Sequence, residues 1–130
     1  MRGKRLSYFF VLVFITILFS TSAQAVIFLS SSLISDSPDP VEAGNDVTFN
    51  ATVISSTNVT AANVTINGAT YDLSWVGKSG VYYNYSGTVN SSLIGAGTYT
   101  YTNEAINTGL ETDSATGTQT ITDTTSPVIN

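Results

Sequence analysis

From Val47 to Tyr101 apolar and polar residues alternate with a period of two, in run after run. That period constrains the fold more than any other feature of the chain. In VTFNATVI, Val47, Phe49, Ala51 and Val53 fall on one face, and Thr48, Asn50 and Thr52 fall on the other. Successive side chains of an extended chain point to opposite sides, so such a run fits a strand with one face buried. The pattern recurs with Ala62, Val64 and Ile66 set against Asn63, Thr65 and Asn67. It recurs again with Val81, Tyr83 and Tyr85 against Tyr82, Asn84 and Ser86, and in TYTYT with Tyr99 and Tyr101 inward. No helical period follows residue 25.

Turn residues divide these runs. Pro38 and Pro40 end an opening strand candidate at Val26–Ser35, because proline has no N–H to give to a central ladder. Asn67-Gly68 is a hairpin signal, since both residues tolerate positive φ. Gly77–Gly80 reads as a turn, Asn90–Gly97 as a loop, and Thr112–Thr122 as a last, polar strand. About seven strands separated by turns predict an all-β domain over residues 26–122, in the form of an antiparallel sandwich. A chain of about 105 residues buries roughly two-thirds of its unfolded surface, enough for one core.

The first 25 residues predict export. Arg2, Lys4 and Arg5 precede an apolar run from Phe9 to Phe19 that only Thr16 interrupts, and Ala23-Gln24-Ala25 follows. That is the layout of a secretory signal peptide helix over residues 1–25, with cleavage after Ala25. The run falls short of the roughly 20 apolar residues that cross a bilayer. Membrane contact is expected only through this segment, if it stays uncleaved.

Removing it leaves nine acidic residues against Lys78, a net charge of −8. Such a surface repels phosphate backbones, so nucleic acid is not an expected partner. The chain has no Cys and no His. Disulfides, thiolate metal sites and histidine acid–base chemistry are therefore excluded. No catalytic residues and no cofactor are expected, and the chain does not read as an enzyme. Asp36, Asp39, Glu42 and Asp46 crowd the first turn. Their sharper reading is a calcium site between modules, and their plainer one is a solvated turn.

The segments SDSPDPVEAGNDVTFNATV, NVTINGATYDL, GAGTYTY and DTTSPVIN resemble immunoglobulin-like β-sandwich modules of prokaryotic surface proteins. They are most similar to modules of archaeal cell-surface and S-layer-like glycoproteins, and the resemblance spans residues 34–130. It implies an exported module that spaces, displays or adheres at the cell surface. Its partners would be other surface proteins, tandem modules or glycans. It implies that Tyr99 is a tyrosine-corner residue whose hydroxyl binds upstream backbone. It also makes residues 123–130 a linker toward a following module, although Ser126 stands where the family linker has proline.

Five Asn-x-Ser/Thr sequons mark glycosylation candidates at Asn50, Asn58, Asn63, Asn84 and Asn90. The strand period produces the same motif unaided, since positions i and i+2 share the solvent face. None of the five is expected to be buried. The aromatic residues open a second functional reading, a carbohydrate-binding sandwich, with Tyr71, Trp75 and Tyr82 as the surface candidates.

Overall fold

A computed structural model describes residues 25–125. The expected signal segment, apart from Ala25, and residues 126–130 of the expected linker lie outside them. The described chain is 67% strand, with two 3-10 turns and no α-helix. Among these residues no helix is long and apolar enough to cross a membrane.

Nine strands form: β1 Ile27–Phe28, β2 Ile34–Ser37, β3 Val41–Glu42, β4 Asp46–Ser55, β5 Val59–Ile66, β6 Ala69–Ser79, β7 Tyr82–Asn90, β8 Gly97–Asn107 and β9 Thr112–Thr122. They are joined in the order β1-β4-β7-β6-β5-β8-β9-β3, and β2 lies beside β4 as well. All neighbours are antiparallel except β3, which runs parallel to β9. The result is one curled, mixed sheet.

The curl is centred on β6. Its first half, Ala69–Leu73, pairs with β5, and its second half, from Ser74 on, pairs with β7. The sheet therefore bends back on itself, and β4 comes to face β8. The alternating apolar residues of β4, β5 and β7 fill the space between, with Val47, Phe49, Val53, Val64 and Ile66 almost wholly buried. At the centre the rings of Phe49 and Tyr101 meet edge to face, with centroids 5.0 Å apart. The β5–β6 hairpin turns at Asn67 (φ 48°) and Gly68 (φ 78°), the doubly positive geometry that this dipeptide favours.

Several sequence expectations need correction. Val26–Ser35 is not one strand: a 3-10 turn at Ser31–Leu33 separates β1 from β2. Gly77–Gly80 is not a turn. β6 continues to Ser79 and reverses at Gly80 and Val81. Val81 is consequently exposed at the hairpin tip and not inward. Tyr99 is only half-buried, since it lies where β8 begins, at the rim of the core.

The inward face of β8 and β9 is more polar than alternation implies. Asn103, Asn107 and Gln119 have no solvent exposure. The Asn107 amide oxygen accepts from the Glu111 N–H at 3.0 Å, closing the β8–β9 turn. Neither amide atom of Asn103, which lies between Val64 and Ala115 in the register, has a protein partner. Gly117 is required by close approach. A Cβ there would lie 2.5 Å from the Tyr101 Cζ and 2.8 Å from its Cε1.

Two substitutions test this packing. Gly117→Ala will cost about 1–3 kcal/mol, because the Tyr101 ring must move. Asn103→Leu keeps the number and branching of the side-chain heavy atoms and removes an unpaired buried amide, so it will stabilise by about 1 kcal/mol, or about 4–8 °C in Tm. Thermal and urea unfolding read both. A neutral Gly117→Ala or a destabilised Asn103→Leu contradicts the packing described.

Candidate functional site

Three features outside the core have chemistry to offer: a polar seam, the outward Asn and Thr ladder, and a wedge-shaped pocket beside β6.

The seam lies where β2 and the following Pro38–Pro40 corner meet β9. No continuous backbone ladder closes the sheet there; side chains do. Tyr101 Oη donates to Asp36 Oδ1 at 2.8 Å, Gln119 Nε2 to the Pro38 carbonyl at 3.0 Å, and the Thr120 N–H to Asp39 Oδ1 at 3.0 Å. Further along, the Leu29 N–H donates to Asp113 Oδ2 at 2.8 Å. Burial pushes the Asp36 carboxyl above its ordinary value; the Tyr101 hydroxyl opposes the rise and Asp39 adds to it. Burial, reinforced by the Asp36 contact, also pushes the Tyr101 phenol up.

The four acids that the sequence placed in one cluster each serve the chain itself. Asp36 and Asp39 hold the seam. Glu42 accepts from the Thr124 N–H (2.8 Å) and hydroxyl (2.9 Å), which lower its carboxyl pKa, and Asp46 accepts from Asn90 Nδ2 at 3.0 Å. Among the described residues no three carboxylates come together as a metal site.

The outward faces carry cross-strand pairs of small polar residues. Thr48 pairs with Thr88, Thr65 with Thr70, and Thr98 with Thr120, at 2.8–3.2 Å between hydroxyls. Of the five sequon asparagines, Asn58 is exposed and Asn50, Asn63, Asn84 and Asn90 are partly exposed. Two sequons interlock. Asn50 stands opposite Ser86 and Thr52 opposite Asn84, and Thr52 Oγ1 donates to Asn84 Oδ1 at 2.9 Å. Asn90 is committed to the fold: its Nδ2 donates to the Gly44 carbonyl and to Asp46, while its Oδ1 accepts from the Ser92 N–H. The Tyr99 hydroxyl donates to the Ala96 carbonyl at 3.1 Å and reaches that of Ile94 at 3.5 Å.

The pocket, of about 440 Å³, opens where β6 leaves β5 to join β7. Tyr83 and Tyr85 bound it from β7. The Tyr83 hydroxyl donates to Asn58 Oδ1 at 3.1 Å, and that of Tyr85 donates to the Val59 carbonyl at 3.2 Å. These bonds fix the entry to β5. From β6 come Trp75, opposite Tyr85, and Lys78, opposite Tyr83. The Lys78 Nζ lies 5.0 Å from the centre of the Tyr83 ring, within cation–π range.

A β-bulge brings the two β6 residues together. Register shifts between Trp75 and Gly77, so Val76 is an extra residue. Strict alternation would put Trp75 and Lys78 on opposite faces; the bulge puts both on the tyrosine face. Sequence reasoning missed this because it read Gly77–Gly80 as a turn. The available signal was Gly77 inside a strand-like run, a common mark of a bulge. Of the surface aromatic candidates, Trp75 is 62% and Tyr82 47% exposed. Tyr71 instead packs against the core. Trp75 and Tyr82 fall on opposite faces, so they do not make one flat platform.

The seam predicts a pH effect. An aspartate whose folded pKa is raised binds its proton more tightly when folded. Its favourable contribution is complete below the ordinary value of 3.8 and is lost as pH rises through the raised value. Asp36→Asn, which keeps an acceptor for Tyr101, will therefore gain stability relative to the unsubstituted chain as pH rises across that window, then hold level. Urea unfolding from about pH 3 to about pH 7 measures it; a difference moving the other way refutes the burial argument.

No protein-family model matches the chain, and no curated protein proved significantly similar to it.

Proposed function

We propose that residues 26–122 form an immunoglobulin-like β-sandwich module of the archaeal-type cell-surface kind, exported by residues 1–25. It acts in spacing, display or adhesion and not in catalysis. The observation that carries the reading is the strand order. One half of the curled sheet runs β1/β2-β4-β7 into the end of β6, and the other runs from the start of β6 through β5-β8-β9 to β3. The opening segment divides between the two halves, with β2 beside β4 and β3 beside β9. The tyrosine bonded to backbone where β8 begins fits the same reading.

The surface supports a structural role. Cross-strand Thr–Thr and Thr–Asn pairs occur in both halves, each such pair adding roughly 0.2–1 kcal/mol to the sheet. The outer edge of β9 is joined by β3 at Ile121 and Thr122 and is covered elsewhere by the side-chain seam to the β2 segment, so contact with a neighbouring surface protein or tandem module falls to the outward polar faces and loops.

The sequons belong to the same proposal, with the fold ranking them. A glycan on Asn90 would replace one of the two N–H donors with which its Nδ2 binds the Gly44 carbonyl and Asp46. Asn50 and Asn84 are diagonal neighbours on one face, too close for two glycans to be added independently.

Intact-mass and glycopeptide mapping of the protein from its native cell surface tests the reading. The expected product begins at Val26 and carries discrete sugar increments, with Asn90 bare and Asn50 and Asn84 never occupied together. A chain retained inside the cell with residues 1–25 intact overturns the export proposal. Full occupancy of Asn90 overturns the ranking.

A further inference from the structure

We propose that the wedge between β5 and β6 binds a carboxylate-bearing pyranose, such as a hexuronate unit of an acidic polysaccharide. This goes beyond a structural role and assigns the module a ligand class.

The pocket holds the complementary groups. Lys78 is the one basic residue in residues 25–125, and it stands at this pocket. No carboxylate lines the wall. Lys78 is therefore the only charged group on the lining. Lys78 lies over the Tyr83 ring, a contact that leaves its N–H groups able to meet a carboxylate. Trp75 offers an exposed indole, an apolar plane of the size of a pyranose C–H face.

The hydroxyls of the sugar find donors and acceptors beside these two. Tyr83 donates to the Oδ1 of the exposed Asn58, whose amide N–H groups can donate to a sugar oxygen. Tyr85 donates to the Val59 carbonyl and keeps its lone pairs as acceptors. Beyond Leu73, β6 has left β5, so the backbone of Val59 and Thr60 has no β6 partner on that side. A volume of about 440 Å³ falls within the range of small-ligand sites and admits one or two sugar rings. The bulge at Val76 is what aligns cation and indole on one face. In a plain strand the same residues would make no site.

Trp75 is the only tryptophan of the chain, so tryptophan fluorescence, excited beyond the tyrosine absorption band, reports on this pocket. The chain, isolated from an exporting host without N-glycosylation so that Asn58 is bare, would be titrated with D-glucuronate, D-galacturonate and their short oligomers. D-glucose and acetate serve as controls. The expected result is a saturable change with uronates in the millimolar range and about tenfold or greater weakening in Lys78→Met. Both controls should bind much more weakly. Calorimetry on Trp75→Ala should show the same loss, with circular dichroism confirming that each variant keeps its β spectrum. Equal response to glucose would make the pocket a neutral-sugar site, and equal response to acetate a simple anion site. Either outcome, or no saturable response, overturns the proposal.

Discussion

Tyr101 is the interaction on which the rest of the molecule depends. Its ring packs edge-on against Phe49, so β8 is held against β4 across the core. Its hydroxyl passes over Gly117 of β9 and ends on Asp36 of β2. One side chain therefore ties four strands together, two from each half of the curled sheet. Larger residues at 117 would block its path, and a non-polar residue at 36 would leave a buried hydroxyl unpaired. The seam grows outward from this contact, through Gln119 to Pro38 and Thr120 to Asp39.

The opposite side of the sheet closes by a different device. There β6 changes partner halfway, which joins the two halves covalently through one strand. A strand that switches partners leaves a gap on each side of the switch, because its backbone cannot pair both ways at once. The gap toward β5 is the pocket. The seam is sealed by carboxylates and the gap is lined by rings and a lone cation, so the two sides offer opposite chemistry. One stabilises the closed sheet and the other is open to a ligand.

The polar residues fall into distinct groups by what they touch. Asp36, Asp39, Glu42 and Asp46 look alike in a sequence, yet one is half-buried against a phenol and the others cap backbone or side-chain donors. The asparagines divide in the same way. Asn103 and Asn107 are buried, Asn90 is locked to the Gly44 turn, and Asn50 and Asn63 stand on outward faces. Composition assigns all of these to solvent; position decides which of them reach it.

The sequence alone was enough for the all-β class, the inward set Val47, Phe49, Ala51, Val53, Val64, Ile66, Tyr83, Tyr85 and Tyr101, and the Asn67-Gly68 hairpin. These follow from a two-residue period and from the φ tolerance of particular residues, which are local properties. Tertiary structure decided what is not local. The partner switch in β6 depends on which strands lie alongside, and it made Gly77–Lys78 a strand where glycine predicted a turn. The Val76 bulge then put Trp75 and Lys78 on one face. The burial of Asn103 and Gln119 depends on β8 and β9 facing β4 and β2, which no window of their own residues encodes. Alternation states that one face is buried; only the curl of the sheet decides what that face meets.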